Sequence, residues 1–553
     1  MLPKKRTFAL LILLVSYTAI TPATWGDSTQ PNVLFIAIDD MNDWTGFLGG
    51  HPQSITPNLD RLAASGTNFT NAHCSAPACS PSRLALLFGV QPFESGLYPF
   101  YDHEKIPASL LGRYTSLPAN FRRNGYRAFG AGKIFHGTKE LREDWDDYHQ
   151  PSASKLRYAP QDGYQQGKSS KMAFCPTKNP LAEHPDYQVA SYGVEVLSRD
   201  HDKPFFLAVG IVKPHLAFVC PQQFFDALPE EIEPPKIQPT DLNDVPWVGR
   251  SMAKLSDDFR FRRDKAWGRV HRSYLACISW ADYNIGRVLD ALEKSPHAEN
   301  TIVVVWSDHG YHQGEKRSFR KFSLWEESTR VPLIIRDPRI KHTLKNDDHR
   351  CDEAVSLIHL YRTLCDLTDI PAPEYVAGES LRSQLIDPKA PFEPPAITTW
   401  GRGNYSIRGD RYRFTRYFDG GEELYDHASD PNEWHNLAEE KQHAATKAEL
   451  ASHLPKDETP LVREGISLWN IIDADRPGKF EKFRDEACRA GSKSYDLSWN
   501  RFIRSTASQS LCESFGSSPT VANGPVEIAA KWHTTRRRGK RHRGIDWSPC
   551  HGG

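Results

Sequence analysis

Four predicted strands, each breaking off into charged or imidazole side chains, constrain the fold of this chain more than anything else in it. Asn32-Val33-Leu34-Phe35-Ile36-Ala37-Ile38 runs into Asp39-Asp40, and Tyr126–Ala131 runs into Gly132-Lys133-Ile134-Phe135-His136-Gly137. Pro204–Val209 is followed by Gly210 and then Lys213-Pro214-His215, while Thr301–Trp306 delivers Ser307-Asp308-His309-Gly310. Where every position is apolar, as in Val33–Ile38, the strand is covered on both faces, which points to a mostly parallel sheet between helical layers. Open α/β sheets bind ligands outside the carboxyl ends of their strands, and paired acids there are candidates for a divalent cation. Each ending has a plainer reading by itself: an Asp pair caps the next element, and Lys or His beside glycine belongs to a solvated loop. Four such endings in one chain are hard to obtain by chance.

The first residues carry a separate signal. Lys4-Lys5-Arg6, the apolar stretch from Phe8 to Ala19 and Thr21-x-Ala23 form the pattern of a secretory signal peptide, expected over residues 1–26. An uncleaved anchor is the alternative, although a comfortable span needs about 20 apolar residues. No later stretch is long and apolar enough to cross a membrane. The mature chain is therefore expected to be exported, periplasmic or secreted, without a membrane span. Its formal charge is +0, so no global field points to nucleic acid. The 10 cysteines permit disulfides in an exported protein, but setting Cys79 aside leaves an odd number, and the spacings do not fix a pairing.

Between the strands, Thr56-Pro57 opens a helix with an N-cap and a first-turn proline, and Leu117–Asn124 reads as another, ended at Gly125. Glu143–His184 is polar and reads as a long surface excursion of the kind that shapes substrate pockets. Arg269–Leu292 has a helical repeat with Tyr274, Ile278, Ile285, Val288 and Leu292 facing the core. Val331–Ile335 is expected as a strand and Glu353–Thr368 as a helix. Proline-rich sequence from Asp387 to Pro395 marks the expected boundary between a catalytic domain, 27–390, and a smaller subdomain, 391–456. In the latter, Ser406–Arg408, Tyr412–Tyr417 and Glu422–Tyr425 alternate as antiparallel strands, with a helix expected over Glu433–Leu454. Residues 457–553 lack periodicity and end in the basic run Arg536–Arg543, which reads as a disordered tail in preference to a polyanion-binding one.

The remaining motif is Cys74-Ser75-Ala76-Pro77-Ala78-Cys79-Ser80-Pro81-Ser82-Arg83, followed at once by the helix-compatible Leu84–Phe88. A thiol at the mouth of a helix with an arginine one turn on has the setting that lowers a cysteine's pKa. Taken alone, such a cysteine is more often buried structure than catalyst. In the company of the four strand ends, Cys-x-Pro-x-Arg at 79–83 resembles the type I, formylglycine-dependent sulfatases, most closely their iduronate-2-sulfatase-like branch. The resemblance covers about residues 31–440 and includes Lys321, Arg330-Val331-Pro332-Leu333 and Glu423-Leu424-Tyr425-Asp426 with Asp430-Pro431. Two residues separate Lys133 from His136, as suits that branch. Phe88 departs from the threonine that many members carry.

The resemblance implies an α/β, alkaline-phosphatase-like sandwich: a large, mostly parallel central sheet flanked by helices, plus a smaller C-terminal domain with an antiparallel sheet. It implies hydrolysis of sulfate monoesters, on sulfated saccharides, by a nucleophile made when a formylglycine-generating maturation enzyme oxidises Cys79. Arg83 would hold that residue in place. One Ca²⁺ per chain would be bound by Asp39, Asp40, Asp308 and His309 with residue 79; the carboxylates favour a hard cation, and His309 leaves zinc as the alternative. Lys133, Lys321 and His215 would bind sulfate oxygens, His215 or Lys321 would protonate the leaving alcohol, and His136 would take the proton that expels sulfate. A phosphomonoesterase or phosphodiesterase of the wider superfamily is the nearest rival, although Cys79 with Pro81 and Arg83 argues for sulfate. A non-catalytic sulfoglycan-binding protein follows if Cys79 remains a thiol.

Overall fold

The computed structural model describes residues 30–101, 112–136, 142–152, 173–253, 255–340, 349–463 and 473–475. The expected signal peptide, the middle of the 143–184 excursion and nearly all of the C-terminal stretch lie outside them. The strands of the main sheet are β1 (Asn32–Ile38), β2 (Thr67–Phe69), β3 (Arg127–Gly132), β4 (Asp147–His149), β5 (Phe205–Ile211), β6 (Thr301–Ser307), β7 (Leu333–Arg336) and β8 (Arg350–Cys351). Across the sheet they run in the order β8-β2-β7-β6-β1-β5-β3-β4. All neighbours are parallel except where β7 pairs antiparallel with β6 and β2. The four strands with polar endings, β6, β1, β5 and β3, are adjacent and parallel, so their carboxyl ends open on one edge of the sheet.

The alternation along β1 explains the layering. Leu34, Ile36 and Ile38 face a core shared with helices α1 (Pro57–Ser65), α4 (Pro185–Leu197) and α5 (Trp267–Glu293). Val33, Phe35 and Ala37 face a second core, shared with α2 (Cys79–Phe88), α3 (Leu117–Arg123) and α6 (His359–Leu367). Every residue of β1, β5 and β6 is buried, as the unbroken apolar runs require. Phe88, the departure from the family pattern, packs at the end of α2 against Phe135 at 5.8 Å and Tyr114 at 6.5 Å, where an aromatic ring fills apolar space.

A second sheet of β9 (Ala396–Thr399), β10 (Tyr405–Arg408), β11 (Tyr412–Arg416) and β12 (Glu422–Asp426) is a fully antiparallel meander. Three element assignments need correction. The helix expected over 433–454 is only α7 (Ala444–Ala451), because Glu433 and Asn436 are drawn into side-chain contacts with neighbouring segments. The helix expected over 353–368 begins at His359, since Val355–Ser356 pairs as a strand with Ala72–His73. The 143–184 excursion is not wholly superficial: β4 adds to the main sheet, and buried Phe174 and Cys175 lie on a strand paired with Phe218–Pro221.

The second sheet is tied to the main one by charge. Arg413 is fully buried, reaches Glu433 Oε1 with Nε at 2.6 Å, and also pairs with Glu326. Glu326, His427 and Glu433 place ligand atoms within 4.8 Å of one another, but Arg413 contacts both acids, so the group is an ion network and not a cation site. Burial pushes the Glu433 carboxyl up, yet Arg413 and His427 outweigh it and bring it down to about 2. Such a group contributes stability above its ordinary pKa of 4.5 that is lost as pH falls towards about 2. Arg413→Ala leaves two buried carboxylates without their shared cation, and urea denaturation at pH 7 is expected to show a loss of about 3–5 kcal/mol. The deficit should shrink when the same measurement is made near pH 3, where Glu433 is already largely protonated in the unfolded state.

Candidate active site

Each functional side chain is placed by a strand end or a helix mouth. β1 ends at Asp39 and Asp40, with Asp40 turning at φ +66°. The Tyr274 hydroxyl, from α5, fixes that turn by donating to the Asp40 carbonyl at 2.8 Å and accepting from the Asn42 N–H at 3.0 Å. β3 ends at Gly132, at φ +78°, where a Cβ would lie 2.2 Å from the Gly210 carbonyl oxygen; only glycine lets β3 and β5 run this close and swing Lys133 inward. β6 delivers Asp308 and His309, both fully buried. Cys79 is the first residue of α2 and is 1% exposed.

Around its Sγ stand Lys321 Nζ at 2.9 Å, His309 Nε2 at 3.3 Å and Asp40 Oδ1 at 3.7 Å. Lys321 also pairs with Asp40, and Lys133 Nζ is 2.5 Å from Asp39 Oδ2. Arg83, one turn along α2, donates from Nε to Asp308 Oδ2 at 2.8 Å and from Nη1 to the Lys133 and Ile134 carbonyls at 2.6 and 2.9 Å. One guanidinium thus joins the ends of β6 and β3 beneath Cys79. His215 Nε2 reaches to 3.9 Å from Asp40 Oδ2. His136 stands beside Phe100, with ring centroids 5.2 Å apart, and Phe100 belongs to the apolar cluster that contains Cys79. Asp39, Asp40, Cys79, Arg83, Lys133, His215, Asp308, His309 and Lys321 therefore meet at one site, and His136 lies one aromatic ring away from it.

Electrostatics follow from burial and pairing. Burial pushes Asp39 and Asp40 up, but Lys133, Lys321, His215 and Arg83 hold Asp39 well below the usual carboxylate range, and Lys321 and His215 bring Asp40 to about 2. Lys133 and Lys321 are raised in turn because their carboxylate partners outweigh the desolvation of their own charge. Burial lowers His309 and His215, leaving neutral rings at pH 7. With Nδ1 of His309 donating to the Gly310 carbonyl at 2.9 Å, its Nε2 lone pair is directed at the site.

The expectation of an acidic thiol is not met. Burial, with Asp39 adding to it, pushes the Cys79 thiol well above its ordinary value, despite Lys133 and Lys321. The helix mouth counts for less than the loss of water. The other described cysteines, Cys74, Cys175, Cys220, Cys277, Cys351 and Cys365, are also buried.

The donor set fits a hard divalent cation. Ligand atoms of Asp39, Cys79, Asp308 and His309 lie within 4.8 Å of one another, as do those of Asp39, Asp40, Cys79 and His215. Asp39 Oδ1 is buried and accepts no hydrogen bond, facing Arg83 Nη2 at 3.5 Å. An anionic oxygen in that condition is matched by a metal ion. Sequence reasoning missed Tyr274, read as core, although a tyrosine in an otherwise aliphatic row hints at a hydroxyl with a partner. It also missed Phe100 and Phe322, which carry no local signature.

Comparison with known proteins assigns the chain to a family. The Sulfatase family model matches residues 31–370, and the model for the C-terminal part of N-sulphoglucosamine sulphohydrolase matches 314–459. The chain belongs to the sulfatase family and is a sulfatase enzyme. Among its relatives, a sulfatase of Formosa agariphila is 37% identical over 77% of this chain and 87% of its own. Human iduronate 2-sulfatase is 30% identical over 73% of this chain and 78% of its own. The solved structure of a 2-O GAG sulfatase has the same fold, with a TM-score of 0.60 at 24% identity, covering 76% of this chain and 90% of that one.

With Cys79 unmodified, the folded protein is expected to react with a maleimide at this position at least about tenfold more slowly than a free cysteine at pH 8, because the thiolate is the reactive form. Peptide mapping after timed labelling, with and without urea, measures it.

Proposed function

We propose that the protein hydrolyses a 2-O-sulfate monoester of a sulfated saccharide, using residue 79 in its formylglycine form and one Ca²⁺. The observation that carries the proposal is the position of Cys79, buried against Lys321, His309 and Asp40 at the joined strand ends. The iduronate and 2-O GAG specificities of the relatives support the choice of ester.

A formylglycine hydrate at position 79 would supply the nucleophile, and a divalent cation would supply the positive charge that offsets the sulfate's repulsion of it. Asp39, Asp40, Asp308 and His309 would hold the cation, with Arg83 fixing Asp308 by its 2.8 Å hydrogen bond. Lys133 and Lys321, which here neutralise Asp39 and Asp40, would turn to the sulfate oxygens. His215 or Lys321 would hand a proton to the leaving alcohol. His136 would accept the proton from residue 79 that accompanies release of sulfate.

Among the described residues no helix is long and apolar enough to cross a membrane. We further propose export through the 1–26 signal peptide, maturation by a formylglycine-generating enzyme, and domain limits at 27–390 and 391–456 with a basic tail beyond.

Cys79→Ala is expected to lower turnover of an aryl sulfate by at least about 1,000-fold, the scale seen when a covalent nucleophile is lost. Thermal unfolding should remain cooperative. Peptide mass spectrometry of active protein should show position 79 lighter by about 18 Da, the exchange of a thiol for an aldehyde; an intact thiol in active enzyme would sink the mechanism. An aryl phosphate offered in parallel should turn over far more slowly than the sulfate.

Prolonged dialysis against a chelator should abolish activity, and Ca²⁺ should restore it in preference to Zn²⁺. Indifference to chelation would remove Asp39, Asp40 and Asp308 from the metal role.

A further inference from the structure

Lys321 is flanked by two bulky residues in a backbone conformation that such residues rarely adopt. Arg320 lies at φ +78° and Phe322 at φ +85°. A non-glycine residue is held there only when its surroundings over-determine it, and such positions cluster at functional sites. The surroundings are identifiable on both sides. Arg320 Nε is 2.5 Å from Asp257 Oδ2, which anchors the loop from outside. Phe322 donates its N–H to the Pro77 carbonyl at 3.1 Å, two residues ahead of Cys79. Its ring stacks on Trp400, with centroids 5.4 Å apart at 29°, and meets Phe100 edge-on at 5.8 Å. Lys321 Nζ lies 5.8 Å from the same ring.

We infer that Phe322 is a positioning residue for Lys321: its ring, clamped between Trp400 and Phe100, holds the loop in this turn and aims the ammonium group at residue 79. The inference rests on the reading of Lys321 as a sulfate-binding or proton-donating group. It goes beyond that reading by naming the residue that sets the lysine's direction. Glycine would adopt the backbone angle without strain but would forfeit the clamp. Leucine would keep much of the apolar volume but could not stack between two rings. The second sheet enters the mechanism here, because Trp400 follows directly from β9.

The test compares Phe322→Leu, Phe322→Tyr and Lys321→Ala in full-length protein, with rates on an aryl sulfate normalised to the fraction of chains that carry formylglycine at position 79. That normalisation separates positioning from maturation, since Phe322 touches the segment before Cys79. Phe322→Leu is expected to lower kcat by about tenfold to 100-fold, the range for a displaced catalytic group, with KM changed by less than about threefold. Phe322→Tyr, which keeps the ring, should recover most of that loss. Leu kcat equal to wild type, with Lys321→Ala inactive, would overturn the inference and leave the reading of Lys321 intact. Lys321→Ala with full activity beside an impaired Leu variant would also overturn it, because Phe322 would then not act through the lysine. A fall in kcat no larger than the loss of folded protein at the assay temperature, read from thermal unfolding, would show a structural role only.

Discussion

Three acidic side chains, Asp39, Asp40 and Asp308, are buried at the joined ends of two adjacent strands, and the rest of the structure depends on the groups that partner them there. Taking a carboxylate out of water costs several kcal/mol unless cations and hydrogen bonds replace the solvent. Arg83 is the permanent part of that compensation. It is fully buried, always charged, and its fork reaches Asp308, Asp39 and three backbone carbonyls at once. Because it lies one turn from Cys79 on α2, the contact that stabilises the acids also orients the helix bearing the proposed nucleophile. Lys133 and Lys321, each in a loop, complete the balance by pairing with Asp39 and Asp40.

The surrounding architecture supports these charges in different ways. The strand ends are held by parallel pairing through a core buried on both faces, which gives the acids little room to move. Lys321 depends instead on a loop braced by Asp257 on one side and by Trp400 and Phe100 on the other. The second sheet therefore does more than enlarge the molecule. Through Arg413, Glu326 and Glu433 it is tied by buried ion pairs to the segment that follows Lys321.

How far the sequence could be read depended on whether a feature was local. The unbroken apolar runs 33–38, 205–209 and 302–306 predict strands buried on both faces, since no other placement hides every side chain. Their polar endings, with that of the Tyr126–Ala131 strand, located Asp39, His215, Asp308 and Lys133, because the carboxyl edge of a parallel sheet is where such groups converge. The helix expected over 433–454 failed because Glu433 is pulled to Arg413, a partner 20 residues earlier whose pairing no local periodicity reveals. The acidic Cys79 thiol failed for a related reason. Helix-mouth and arginine effects are legible in sequence, but desolvation depends on what the tertiary fold puts around the sulfur.

The sequence alone determined the layered α/β class, the family through Cys79-x-Pro81-x-Arg83 and its companion motifs, and the identity of the groups that meet at the site. Each of these is written in residues close in the chain, or in apolar runs whose burial follows from composition. Only the tertiary structure decided which charges pair, that Arg83 spans two strand ends, that the Cys79 thiol is buried and pushed above its ordinary pKa, and that Phe322 stacks on Trp400 beside Lys321. These depend on contacts across hundreds of residues and on the exclusion of water, which no stretch of the chain specifies by itself.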